Sequence, residues 1–206
     1  MRIFALALLA LTLAFPAQAE VTNTAANGFT VKHQQEINAP AAEVWQNLIA
    51  PARWWNGDHS WSGNAENLYL VAQAGGCFCE LLKTKSDDNI KSSNGSVRHM
   101  RVLFVQNGKA IRMSGALGPL QGEAVVGTLT IELKDLGETT AARFTYKVGG
   151  YMEFPIDEIG PAVDAMIGEQ LTRLAALFAE AEVQSDVSPD PEASSDDEEA
   201  SEETAN

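Results

Sequence analysis

The chain predicts an α+β fold in which a curved antiparallel sheet of about seven strands wraps one long C-terminal helix. Three observations predict it. A first strand is followed by two short helices and then only by short-looped alternating segments. Those segments carry hairpin signals such as Asn107-Gly108. The last ordered stretch has an apolar stripe at helical period: Ile159, Val163, Met166, Ile167, Leu171, Leu174, Leu177, Phe178 and Ala181.

The elements follow in order. Phe29 to Ile37 reads as the first strand, and Asn38-Ala39-Pro40 marks a helix start. Val44, Trp45, Leu48 and Ile49 then share one helical face, ended by Ala50-Pro51. A second helical turn carries Arg53-Trp54-Trp55. Strands are expected at 67–73 and 77–82, turning on Ala74-Gly75-Gly76. The polar stretch Lys85 to Gly95 reads as an exposed loop. Further strands span 97–106, 110–114, 124–134 and 139–148, with a loop at Gly115–Gly122. The long helix runs from about Ile156 to Glu182, with Gly160-Pro161 interrupting its start.

Both ends differ from this body. Arg2 precedes an apolar run from Ile3 to Phe15, and Ala17-Gln18-Ala19 supplies small residues for a signal peptidase. About 13 apolar residues are too few to span a bilayer, which needs about 20. Residues 1–19 are therefore expected to be a cleaved signal peptide, residues 20–28 a lead-in, and the mature protein secreted or periplasmic without membrane insertion. Residues 184–206 carry nine of the chain's 28 acids and no Lys or Arg. That composition predicts a disordered acidic tail, either a solvating extension or a contact for a basic protein partner. The domain at 29–183 remains. The bases are scattered, so the phosphate-binding surface of a nucleic-acid binder is not expected.

The residues from Glu36 to Glu80 carry a resemblance. The Trp54-Trp55 pair after a helix, the Gly-Gly-x-Phe-x-Glu run from Gly75 to Glu80, and Glu169-Gln170-Leu171 of the last helix resemble START-type domains. These form the SRPBCC or helix-grip superfamily. The chain looks most like its branch of polyketide cyclase-like proteins and activators of the ninety-kilodalton heat-shock-protein ATPase. The resemblance spans about residues 29–182. It implies a cavity between the sheet and the C-terminal helix that takes a lipid or other apolar small molecule. Expected lining residues are Trp54, Trp55, Phe78, Met113, Met166, Ile167 and Phe178, each of which can equally be core. A secreted chain meets no cytosolic chaperone, so a co-chaperone role is not carried over.

Titratable candidates for chemistry are Asp58, His59, Glu80, His99 and Glu123. Asp58-His59 sits in a glycine-containing loop suited to a cavity rim, where His59 would serve as a base. Glu80 lies two residues from Phe78 and so shares its strand face. Facing the cavity alone, its carboxyl would have a raised pKa and donate a proton. Asp58, His59 and Glu80 thus form the acid/base set of a cyclase- or hydrolase-type pocket enzyme, the alternative to a binding module or a protein-interaction domain. No GxSxG or phosphate-loop pattern is present, and no cofactor or obligatory metal is expected from the three separated histidines. Cys77 and Cys79 share the face opposite Phe78. In an extended strand their Cα atoms would lie about 6.5–7 Å apart, at the upper edge of disulfide geometry. A disulfide and a pair of small free thiols both remain open.

Overall fold

Eight strands form one antiparallel sheet in the computed structural model, which describes residues 20–83 and 94–185. The expected signal peptide (1–19), most of the polar loop at 85–95 and nearly all of the expected acidic tail lie outside the described residues. The elements are β1 (Glu20–Ala25), β2 (Gly28–Ile37), α1 (Ala41–Leu48), β3 (Leu68–Leu70), β4 (Cys77–Leu82), β5 (Gly95–Gln106), β6 (Ala110–Gly115), β7 (Ala124–Asp135), β8 (Thr140–Tyr151) and α2 (Ile156–Ser185). Short 3₁₀ turns lie at Pro51–Arg53, Gly57–His59, Ala65–Asn67 and Gly118–Gly122.

The sheet order is β1-β2-β8-β7-β6-β5-β4-β3. Strands β3 to β8 form a meander of consecutive neighbours, and β2 returns to pair with β8. The eighth strand is β1, which lies inside the expected lead-in and pairs with β2 across the Ala26-Asn27 turn. The strand expected at 67–73 shrinks to Leu68–Leu70, because the chain already turns at Val71–Gly76, where Gly75 takes φ +88°.

The inner sheet face packs on α2. Ile159, Val163, Ile167, Leu171, Leu174 and Phe178 are buried, following the helical stripe, while Met166 and Leu177 are half-buried. Alternation in β2 brings Phe29, Val31 and His33 to the same face. His33 Nε2 meets Asp164 Oδ1 at 2.9 Å and ties β2 to α2. Gly168 permits that approach: a Cβ there would stand 2.7 Å from His33 Cε1. The helix runs through Pro161 and begins at Ile156, so the proline sits inside it. Among the described residues, no helix is long and apolar enough to cross a membrane.

Tyr146 of β8 is fully buried, and its hydroxyl accepts from Leu117 N at 3.3 Å. Its ring crosses Gly127, where a Cβ would fall 2.4 Å from the ring edge. Only a residue without a side chain lets the tyrosine reach the 115–118 segment.

The register shifts between Phe78 and Cys79: Phe78 pairs with Met100, but Cys79 pairs with Arg98. His99 is therefore the extra residue of a β-bulge. Bulges break alternation and sharpen the bend. Here His99 and Met100 are buried in succession. Cys77 and Cys79 are joined as a disulfide with Cα atoms 5.5 Å apart. That spacing is shorter than the extended-strand pitch and lies within the range that disulfides span.

Candidate functional site

The site begins at the end of α1. A proline-led 3₁₀ turn at Pro51–Arg53 delivers Trp54 and Trp55 into the core. Trp54 Nε1 donates back to Asn47 O at 3.1 Å, and Trp55 Nε1 donates forward to His59 O at 3.2 Å. Their rings continue an aromatic row. Phe144 lies 6.2 Å from Trp54, Trp54 lies 5.5 Å from Trp55, Trp55 lies 5.0 Å from Phe78, and Phe78 lies 5.1 Å from His99.

The chain from Asn56 to Ser62 then bridges helix and sheet. On the helix side, Asn56 N donates to Gln170 Oε1 at 2.8 Å and Asn56 Nδ2 to Glu169 Oε1 at 2.6 Å. His59 Nε2 lies 2.9 Å from Glu169 Oε2, and Arg173 Nε donates to Trp54 O at 2.9 Å. Partial burial pushes the Glu169 carboxyl up, but hydrogen bonds from Asn56 and His59 and the nearby Arg173 charge hold it below its ordinary range. On the sheet side, Glu80 Oε2 accepts from Trp61 N at 3.0 Å, and Oε1 accepts from Ser62 N at 2.5 Å.

Glu80 is wholly buried and also meets His99 Nε2 at 2.9 Å. Burial would raise its pKa, but the hydrogen bonds from Ser62, Trp61 and His99 outweigh it and hold the carboxyl below its ordinary value. This reverses the expectation of a raised pKa. A lone inward carboxyl would be protonated; this one is held by the Ser62 side chain, by His99 and by the backbone N–H groups of Ser62 and Trp61, which no sequence motif marks. His99 itself is pushed down by burial, with the Glu80 carboxylate opposing. The imidazole is therefore neutral near pH 7. Gln121 Nε2 lies 3.2 Å from His99 Nδ1, and Trp61 Nε1 donates to Gln121 Oε1 at 2.9 Å. Trp61, Gln121, His99 and Glu80 close a ring of hydrogen bonds.

This ring borders a cavity of about 410 Å³ near the start of α2. Its walls include Trp55, Trp61, His99, Leu117, Val163 and Met166, with Asp58 and His59 also facing it. Of the expected lining residues, Trp55 and Met166 meet this space. Trp54, Phe78 and Met113 instead surround a gap of about 10 Å³ in the core, with Trp55 on its edge. Walled by apolar side chains, a gap of that size offers a water no partners and is too small for a ligand. Ile167 and Phe178 are buried in the helix–sheet core. The space between the sheet and the middle of the helix is thus filled by side chains, and the open volume lies at one end. A wider hollow of about 1020 Å³ between the β1–β2 turn and Phe154 is shallow and open to solvent.

Asp58 and His59 are exposed at the cavity rim, whereas Glu80 lies behind the wall that His99 forms. The carboxylate oxygens of Glu80 are engaged by Trp61, Ser62 and His99, and His59 is engaged by Glu169. Glu80 and His59 are thus held by separate partners rather than by one another. Glu123 Oε2 accepts from Glu153 N at 2.7 Å and so ties the start of β7 to the segment after β8. The residue that sequence reasoning left without a role is His99. Its type was visible, but its inward turn depends on the bulge.

A curved sheet closed on a C-terminal helix, with a cavity at one end of the helix, is a helix-grip fold. Solved structures share it. An uncharacterized protein from Rhizobium leguminosarum superposes with a TM-score of 0.54 at 17% identity, covering 81% of this chain and 99% of that one. Mll3558 from Rhizobium loti gives 0.51 at 15%, covering 72% and 96%. The Aha1 dimer from Colwellia psychrerythraea gives 0.46 at 14%, covering 72% and 95%. No protein-family model and no curated protein matches the chain.

Proposed function

We propose that the protein is a secreted or periplasmic binding module that takes one small apolar molecule into the 410 Å³ cavity beside α2. The observation that carries this reading is the cavity itself. Its volume lies within the range of small-ligand sites, toward the lower end, and its walls are mostly apolar and aromatic. Trp55, Leu117, Val163 and Met166 supply dispersion contacts, and Met166 adapts to varied shapes. The bridging loop is fastened to both helix and sheet, so the roof is preorganised and little entropy is lost on binding. The signal-like N-terminus supports the envelope location.

The test is a titration with the apolar fluorescent probe N-phenyl-1-naphthylamine. The protein is expected to give saturable enhancement at one site. Ala162 lines the cavity but is exposed on α2. Ala162→Trp therefore fills the space without disturbing the core, and is expected to weaken probe binding by about tenfold or more, the loss of one or two good apolar contacts. Saturable binding that ignores the tryptophan would place the probe elsewhere and count against this site.

A further inference from the structure

We propose that His99 is the polar anchor of this cavity and that the ligand is an apolar molecule bearing a hydroxyl group, which donates to His99 Nδ1 in place of the Gln121 amide. This rests on the cavity reading above and adds the chemical class of its occupant.

The hydrogen-bond ring fixes which nitrogen is free. Glu80 is an ionised acceptor, so His99 Nε2, 2.9 Å away, carries the proton. Nδ1 is then a bare acceptor. Gln121 satisfies it from 3.2 Å, with its own oxygen held by the Trp61 indole. The four members differ sharply in exposure. Glu80 and His99 are 0% and 5% exposed, but Trp61 is 57% exposed and Gln121 half-buried. The acceptor is thus built into the wall, while the donor that occupies it belongs to the surface. Gln121 loses little by moving, because water can replace both of its bonds.

The surroundings make a hydroxyl the fitting group. The cavity wall beside His99 comprises Trp55, Trp61, Leu117 and Val163. A ligand carboxylate would meet a bare Nδ1 lone pair with the Glu80 carboxylate behind it, which is repulsive. An ether or hydrocarbon would leave Nδ1 to Gln121 and gain nothing from it. An alcohol or phenol supplies one donor and otherwise buries apolar surface. Burial also keeps the imidazole neutral, and hence an acceptor, near pH 7.

Calorimetric titration with 2-naphthol and 2-methoxynaphthalene tests this, since the two share a ring system and differ in the donor. The full chain is expected to bind the naphthol about tenfold more tightly, the worth of one buried hydrogen bond. His99→Phe should erase that preference, so that the two probes bind with equal affinity. Gln121→Ala should raise naphthol affinity several-fold and leave the ether unaffected. Equal binding of the two probes by the wild type would overturn the His99 anchor while the cavity reading stands. Binding of neither would overturn both. Should His99→Phe fail to fold, Gln121→Ala decides: an unchanged naphthol affinity would contradict the proposed exchange.

Discussion

Glu80→Ala is expected to lower unfolding stability by about 3–5 kcal/mol, the range for removing one partner from a buried, hydrogen-bonded charge. Among the described residues, this carboxylate accepts from Trp61 N, from Ser62 N and from the proton on His99 Nε2. Its loss strands these three donors and frees the loop that roofs the cavity. Urea unfolding should show a lower midpoint with an unchanged slope. Glu80→Gln should fall between the two, because its oxygen still accepts while its amide faces a donor. A loss under about 1 kcal/mol in the alanine variant would show that the loop is not held here.

The same group sets an acid limb. The folded-state pKa of His99 lies below its ordinary 6.5, so on acidification the unfolded chain takes up that proton first. Glu80 is likewise held below its ordinary 4.5 in the folded state. Stability is therefore fully present above about pH 6.5, declines below it through His99, and declines further below about pH 4.5 through Glu80. Glu80→Ala should lose the lower limb.

Trp54→Ala carries the second large expected effect, again about 3–5 kcal/mol by urea unfolding. The indole is 4% exposed, packs on Trp55 and Phe144, and donates to Asn47 O. Truncation opens a hole between α1 and the sheet that the gap beside it, about 10 Å³, would enlarge rather than relieve. Trp54→Phe keeps most of the ring packing and should cost less than half as much. If alanine and phenylalanine destabilise equally, the Asn47 hydrogen bond rather than packing dominates, and the aromatic row is not the support for this end of the fold.

Much of this architecture was legible because it rests on periodicity. The α2 stripe from Ile159 to Phe178 repeats at helical spacing, and six of its members are buried as the pattern requires. The β5–β6 and β7–β8 hairpins turn at Asn107-Gly108 and Gly137, both glycines at positive φ. Strand β1 was harder. Its Glu20–Ala25 sequence does not alternate, although Asn27-Gly28 beside it is a hairpin signal. The site was less legible than the fold. Alternation put Glu80 on the inner face with Phe78, and both are buried. What alternation cannot convey is a bulge. One extra residue in β5 turns His99 inward beside Met100, and nothing in Arg98-His99-Met100 marks it. The backbone donors of Trp61 and Ser62 are equally silent, since any residue except proline supplies an N–H. The lining set misjudged filling rather than facing: Trp54, Phe78 and Met113 point inward, but they fill the space they were expected to border.

The most direct measurement is native mass spectrometry of the protein purified from its own cell envelope without reduction, followed by denaturation and organic extraction. The expected result is a reproducible small apolar adduct in about one-to-one ratio that leaves on denaturation and is diminished or absent in Ala162→Trp. A bare protein mass from several preparations, together with no uptake of added apolar probe, would contradict the claim that this cavity is a ligand site.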